Sequence, residues 1–535
     1  MASGEIVYAY PTAQVRDAVA KALQRASTDD ELIRRAAFAL AQVCFQELRD
    51  RFGAVAGRRV VVLAGPGNNG ADAVVAGKHL RDRGAVVTNV ATAGKLNAVA
   101  ERHLAGDLID ATTVPGAAAA STRLQGAELV VDGIVGDAMV GALSDGIADL
   151  VDAISANAAV VAVDLPSGVA PDTGETPGAH VSADVTVSFE GLKPCLFLPP
   201  GDLAAGRVVP VNPGAGDFLP SESKIRRLTP SGVAALWPVP TAQTHKFTRG
   251  MVGVVAGTDS FPGAAVLTCL GAYATGTGIV RYTGPREVGD LILRQVPEAE
   301  RRSDPITADD ERLLRANAWV LGPGVAHDPQ QDANVLAAMA TGLPYVADAG
   351  ALDACVTNRA GGDRPTGADH VLVTPHAGEA ARLLTLLGRE TTASQIDAQP
   401  LHHAQTLAEL ADVTVLLKGA TTLVVSPEGT VYSQADATPW LATGGAGDVL
   451  AGIAGALLAS GLDALTAGAL AAYVHGRGAT LAAAHGPIKA SDVARYVPAA
   501  VREALDLCVE GQVRKRADRS VARVRARAAV RGRGR

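Results

Sequence analysis

Two tandem α/β domains are the architecture this sequence predicts, on three observations. Short β-branched runs recur along the chain; each ends in Gly or Asp, and an Ala-rich helical stretch follows. The runs are apolar on both faces, which belongs to parallel sheets covered by helices on either side. The pattern stops between about residues 211 and 230, where Gly, Pro and Ser accumulate, and then resumes. At roughly 100 to 200 residues per domain, a chain of 535 residues also exceeds one compact core.

In the first half the strand candidates are RVVVLAG (59–65), AVVTNVAT (85–92), AELVVDGIVG (127–136), AVVAVDLPSG (159–168) and ADVTVSF (183–189), with a helix expected over 72–83. The second series is MVGVVAG (251–257), AWVLGPG (318–324), LPYVADAG (343–350), HVLVTPHAGE (370–379) and VTVLLKGATTLVVS (413–426). The expected division is a first domain over 1–215, a linker over 216–228, a second domain over 229–510 and a basic, disordered tail over 511–535. No fixed-period repeat occurs, which argues against a solenoid.

Composition excludes other classes. With 48% hydrophobic and 19% charged residues the chain is neither disordered nor a disulfide scaffold. Its five cysteines form no C-x-x-C pair and no short metal spacing, which fits a reducing cytosol, and the N-terminal residues do not read as a secretory signal. The longest apolar stretch, 449–462, is short for a bilayer span and reads as a buried helix. The net charge of −7 hides an asymmetry: residues 514–535 hold ten of the 48 basic residues and one acid, leaving 38 basic against 54 acidic residues elsewhere.

Two segments carry chemistry. In RVVVLAGPGNNGADAVV a buried strand ends in a glycine-dense turn and a helix opens at Ala71 to Asp72. Unpaired N–H groups at a helix start favour a phosphate or another anion; the same residues also suit a tight strand-to-helix connection. Asp132 and Asp164 end further strands, and carboxyl ends of strands in such sheets converge on one crevice. With Asn69 and Ser167 they offer oxygens suited to a hard cation of low charge, although an Asp after a strand also serves as a helix cap.

The set GPGNNGAD, VVDGIVG, VAVDLPSG and TVSFEGLKPCLFLPPG, in that order, resembles the NAD(P)H-hydrate epimerase domain of bifunctional nicotinamide-cofactor repair enzymes. The resemblance implies a Rossmann-like three-layer domain. It further implies that Asn68, Asn69, Gly70, Ala71, Asp72, Gly136, Asp137, Ala138, Met139, Val140, Gly141, Ala142 and Asp164 line the hydrated nucleotide. By the same resemblance Asn69, Asp132 and Ser167 hold a potassium ion, and Asp164 is the candidate for acid-base work. The chain departs from the family pattern at Ala71 and Ala73, where glycine is common, and at Val140, in a loop that often carries a cation.

In the second half, ATGGAGDVLAGIAGALL (442–458) places glycines and then Asp448 at the start of a long apolar helix. Free amides there can bind the oxyanion of a transferring phosphoryl group while Asp448 deprotonates a hydroxyl; glycines at a helix start also serve packing alone. The element resembles the ribokinase-like superfamily. HKFTRGMVGVVAGTDSFPGAAVL, LGPGV, VTPHAGEAARLL and LLKGATTLVVSPEG narrow the resemblance to its ADP-dependent NAD(P)H-hydrate dehydratases. That implies contacts of Ala264, Gly324, His376 and Asp448 with the hydrated cofactor. It also implies contacts of Lys418, Gly419, Ala420, Thr421, Thr422 and Gly447 with ADP, which brings magnesium. On residues alone, Lys418 could be a snorkelling surface lysine and His376 a helix cap. Trp440 is a bulky departure from the family pattern beside the reacting centre.

The expected function is therefore cofactor repair by a cytoplasmic homo-oligomer: epimerisation of hydrated NADH and NADPH, and ADP-dependent dehydration that releases AMP and phosphate. Two rivals are a ribokinase-like kinase of a small alcohol, which leaves the first 212 residues unexplained, and a nucleic-acid-binding protein acting through the Arg-rich tail. The tail has no aromatic residue for base stacking and no recognisable reading module.

Overall fold

In the computed structural model, which describes residues 6–28, 30–138, 141–306, 315–326, 328–362 and 364–507, the apolar runs become the central strands of two sheets. The chain enters through β1 (Ile6–Ala9), a member of the second sheet, and then builds a first compact unit over residues 8–225. This unit carries β2 (Arg59–Ala64), β3 (Val86–Ala91), β4 (Asp107–Asp110), β5 (Leu129–Gly133), β6 (Ala159–Val163), β7 (Val185–Phe189) and β8 (Arg207–Val211). They align as β4-β3-β2-β5-β6-β7-β8 with every pair parallel. The chain runs outward from β2 to β4, then returns to build the other side from β5, so the strand order reverses between β2 and β5.

Side chains alternate across a strand, and β2 shows what this does. Val60 and Val62 enter a core with Leu40, Phe45, Leu48 and Val74, whereas Val61 and Leu63 enter another with Leu124 and Leu150. The sheet is thus covered on both faces, the Rossmann-like three-layer arrangement. The first-half runs expected as strands coincide with β2, β3, β5, β6 and β7, while β4 and β8 lie at the edges and are largely exposed. One helix boundary differs. The helix expected from Ala71 or Asp72 spans Asn68–Asp82, so Asn68, Asn69 and Gly70 form its first turn.

The second unit comprises the described residues from Arg226 onward, except 397–399, together with Ile6 and Val7. It contains β9 (Ile225–Leu228), β10 (Met251–Val255), β11 (Ile279–Thr283), β12 (Glu300–Arg302), β13 (Ala318–Leu321), β14 (Tyr345–Ala347), β15 (Val371–Val373), β16 (Thr414–Leu417), β17 (Thr422–Val425) and β18 (Val431–Gln434). Their order is β1-β9-β18-β17-β16-β15-β14-β13-β10-β11-β12. From β12 to β16 neighbours run parallel; β17 and β18 turn back antiparallel. The order again reverses beside the first strand of the parallel series, here between β10 and β13. Two boundaries differ from the sequence reading: β9 occupies residues assigned to the linker, and Ile6 and Val7 join the second unit. Both strands are short and β9 is half polar, so neither makes an apolar run. The run 413–426 is two strands, β16 and β17, joined by a turn at Lys418.

The long apolar helix spans Ala446–Ala459 and is buried along most of its length. It lies against the helix Pro262–Thr275 at backbone distance. A Cβ on Gly452 would stand 2.1 Å from the Thr268 carbonyl oxygen, and one on Gly271 would stand 2.3 Å from that of Val449. No helix among the described residues is long and apolar enough to cross a membrane. Cys44, Cys195, Cys269 and Cys355 are buried free thiols. Met139, Val140, Cys508 and the Arg-rich tail lie outside the described residues.

Replacing Gly452 with Val forces two helix backbones apart. We expect it to destabilise the second unit by about 1–3 kcal/mol, read as a lower denaturant midpoint; an unchanged midpoint would mean that the helix pair has room to spare.

Candidate functional site

At the end of β2 the chain turns so tightly that a Cβ on Gly70 would stand 2.0 Å from the Gly65 carbonyl oxygen. This packing puts the first turn of Asn68–Asp82 against the ends of β5 and β6. Asn69 Nδ2 donates to the carbonyl oxygens of Val135 (3.1 Å) and Val163 (2.9 Å), and its amide borders Gly136. Asp132, fully buried at the end of β5, accepts from the Ser167 hydroxyl (2.6 Å), the Ser167 amide (2.8 Å) and the Ile134 amide (3.3 Å). Burial raises its pKa, and the Ser167 and Ile134 hydrogen bonds oppose the rise.

Asp164 follows β6 with φ of 71° and is buried. One of its oxygens accepts from the Phe189 amide (2.9 Å) and from the Lys193 ammonium, which also donates to the Phe189 carbonyl (2.8 Å). Lys193 is 2% exposed, so this is a buried ion pair. Asp72 completes the cluster with an Oδ1 that has no hydrogen-bond partner. Burial holds its carboxyl well above the usual range; the charges of Asp164 and Glu190 add to this, and Lys193 offsets part of it. Asp72 thus sits, with its carboxyl pushed upward, beside the Asp164–Lys193 pair.

The loop after Asp132 has Asp137 pinned by Arg16, whose guanidinium meets the Asp137 carboxylate at 2.8 Å and its carbonyl at 2.7 Å. Arg16 thus brings to this loop a cation that the loop's own sequence lacks. Ala138 and Gly141 are exposed, and Ala142 borders Gly178.

In the second unit the carboxyl ends of β14, β15 and β16 supply Asp348, His376 and Lys418. Lys418 Nζ lies 3.0 Å from Asp348 and 3.6 Å from Glu379. Burial alone would lower the Lys418 pKa, but the two carboxylates more than offset it and the group stays charged. His376 is a helix cap: Nδ1 accepts from the Gly378 (3.0 Å) and Glu379 (3.3 Å) amides, and Glu379 accepts from the His376 amide. Two accepted bonds at Nδ1 leave the ring proton on Nε2, on an exposed imidazole. The main chains of His376 and Lys418 are bridged, and Gly419 and Ala420 form an exposed turn before Thr421 and Thr422.

The helix Ala446–Ala459 starts without a side-chain cap, leaving first-turn amides free for an anion. A Cβ on Gly447 would stand 3.4 Å from the Lys418 ammonium and 4.0 Å from an Asp348 oxygen. Asp448 is next in the chain. Burial, then the charge of Asp348, push its carboxyl up to about 7, with Lys418 pulling the other way. Behind this turn His475 is buried and kept neutral, its pKa lowered to about 4 by burial. Ala264 and Gly324 are in close contact with each other, since a Cβ on Gly324 would stand 2.6 Å from that of Ala264.

In each unit most of the expected residues gather at the strand ends. Sequence reasoning missed Lys193, Asp348, Glu379 and Arg16. Lys193 stands in the quoted TVSFEGLKP, Glu379 closes the quoted HVLVTPHAGE, and Asp348 follows the apolar run in LPYVADAG as Asp164 follows its own, so these signals were available; Arg16 left none.

A family model described as NAD(P)H-hydrate dehydratase matches residues 252–499, and one described as YjeF-related protein N-terminus matches residues 29–195. The bifunctional NAD(P)H-hydrate repair enzyme Nnr of Mycobacterium leprae is 38% identical over 508 residues, covering 93% of this chain and 98% of that protein. The protein of the same name from Mycobacterium tuberculosis is 38% identical over 429 residues, 79% of this chain and 84% of its own. A solved ADP/ATP-dependent NAD(P)H-hydrate dehydratase from Bacillus subtilis, co-crystallized with ATP/Mg2+, is 26% identical, covers 52% of this chain and 97% of its own, and superposes with a TM-score of 0.46.

Removing one partner of a buried pair strands the other charge. Lys193→Met is expected to cost the first unit roughly 3–5 kcal/mol, measured by chemical denaturation; a loss below 1 kcal/mol would show that Asp164 does not depend on the ammonium.

Proposed function

This chain belongs to the family of bifunctional NAD(P)H-hydrate repair enzymes, and on that premise we propose that its two units divide the repair of nicotinamide cofactors between them. The unit over 8–225 interconverts the R and S epimers of hydrated NADH and NADPH. The unit from Arg226 onward dehydrates the S form with ADP, releasing AMP and phosphate. The observation that carries the second assignment is the meeting of Lys418, Gly447 and Asp448 around one uncapped helix start.

In this reading Asp448 takes the proton of the ring hydroxyl as that oxygen attacks the terminal phosphorus of ADP. The Gly447 amide and Lys418 hold the phosphoryl oxygens, and AMP leaves. The phosphorylated ring then expels phosphate with loss of a proton from the neighbouring carbon, which restores the double bond. Ala264, Gly324 and His376 Nε2 are available to position the ring; the turn Lys418, Gly419, Ala420, Thr421 and Thr422 is available to the adenine nucleotide. Magnesium enters on the diphosphate as part of the substrate, and no group of three His, Cys, Asp or Glu that could hold a metal occurs among the described residues.

For epimerisation we assign the acid-base work to Asp164, oriented by Lys193. Asn68, Asn69, Gly70, Ala71 and Asp72 and the loop Gly136, Asp137, Ala138, Gly141 and Ala142 form the nucleotide cradle, with Met139 and Val140 assigned to the same loop by sequence. A potassium ion fits the donor set of Asn69, Asp132 and Ser167: all are oxygen ligands, with one carboxylate that has no ion-pair partner among those described. When bound it would supply a fixed positive charge to that oxygen cluster. We further propose a cytoplasmic protein, a reading supported by the free buried thiols, that acts as a homo-oligomer.

Asp448→Asn should lower ADP-dependent recovery of NADH absorbance by about 10²-fold or more and leave epimerisation, followed by NMR, at the wild-type rate. Equal loss of both activities in a folded variant would refute the division of labour. Because a base must be unprotonated and Asp448 titrates at about 7, dehydration kcat/KM should fall roughly tenfold per pH unit below that value; a flat profile down to pH 5 would remove Asp448 from this role.

A further inference from the structure

Asp348 is the one buried carboxylate at the second site to which the mechanism above gives no task. It follows β14, is 3% exposed, and accepts the Thr374 hydroxyl (2.7 Å) and the Lys418 ammonium (3.0 Å) on the same oxygen. Its other oxygen points to Gly447, 4.0 Å from where a side chain there would begin. A pair that merely tied β14 to β16 has no reason to reach the helix start that receives the phosphoryl group.

We propose that Asp348 is a positioning residue of the dehydration site, holding the Lys418 ammonium at Gly447 and placing a fixed negative charge opposite Asp448. The inference rests on assigning dehydration to this unit. One carboxylate then performs two tasks. It keeps a partly buried lysine charged and aimed at the incoming phosphate, and it disfavours a second negative charge at Asp448, which makes that group a better proton acceptor. Among the described residues, the other charged or titratable groups facing this centre are His376 and Glu379 at the start of the helix Ala377–Leu386, Lys418 after β16, Asp448 on the helix Ala446–Ala459 and His475 on the helix Ala464–Ala483. Glu379 sits 3.6 Å from Lys418 and caps its own helix, so it shares the lysine without replacing Asp348.

The test uses the full chain carrying Asp348→Asn or Asp348→Glu, with wild type and Asp448→Asn first establishing that ADP-dependent dehydration occurs in this unit. In Asp348→Asn the acid limb of the dehydration profile should move about one pH unit lower, ADP affinity by calorimetry should weaken severalfold, and epimerisation should stay at wild type. Asp348→Glu, which keeps the charge, should hold the limb near its original position. The proposal is overturned if the Asn variant keeps the wild-type limb, or if both variants move it alike. Should the Asn variant turn over too slowly for a profile, wild-type ADP affinity in calorimetry would overturn it equally.

Discussion

A carboxylate taken out of water must find a cation or several donors, because an unpaired buried charge is among the most costly things a fold can hold. The parallel strands of this chain end in three such groups. Asp132 is met by the Ser167 amide and hydroxyl, Asp164 by Lys193 and the Phe189 amide, and Asp348 by Lys418 and Thr374. Each solution recruits a partner from another segment, and in doing so it assembles a site. The compensation leaves an oxygen cluster and an Asp–Lys pair in one unit and a lysine beside a helix start in the other.

Both units reach this arrangement by the same route. Each begins its parallel series in the middle of the sheet, extends one way, and returns to build the other side, so that strand ends on either side of the reversal open onto a crevice. In the first unit the crevice receives the turn after β2; in the second the uncapped start of the helix Ala446–Ala459 lies to one side of the reversal, against Asp348 and Lys418 at the ends of β14 and β16. One geometry thus holds two different charge arrangements: Asp72, its carboxyl pushed up by burial, next to the Asp164–Lys193 pair, and Asp448, pushed up to about 7, beside Lys418.

The central strands were legible because burial on both faces demands uninterrupted apolar residues, as in β5, β6 and β7. The edges were not. β4 (DLID), β9 (IRRL) and β12 (ERR) are short and carry charge, so nothing in their composition separates them from loop. The start at Asn68 was read late because Asn and Gly are weak helix formers and read as turn residues; here Asn69 is held in the helix by two carbonyls from other strands. At the sites, Asp164, Lys418 and Asp448 were recognisable from their place at strand and helix ends. Arg16, 121 residues from Asp137, is joined to it only by tertiary folding. Asp348 stood in plain sight after its strand, but an Asp there looks the same whether it caps a helix or faces a lysine.

The contact of Gly452 with the Thr268 carbonyl bears on motion. Gly452 lies four residues beyond Asp448, one helical turn below it on the same side. Asp448 therefore stands on a footing of backbone against backbone, with no Gly452 side chain between to compress or change rotamer. Such a footing does not ratchet or tilt in small steps. Any adjustment of the turns around Asp448 is therefore made against a carboxylate whose own backbone is held in place.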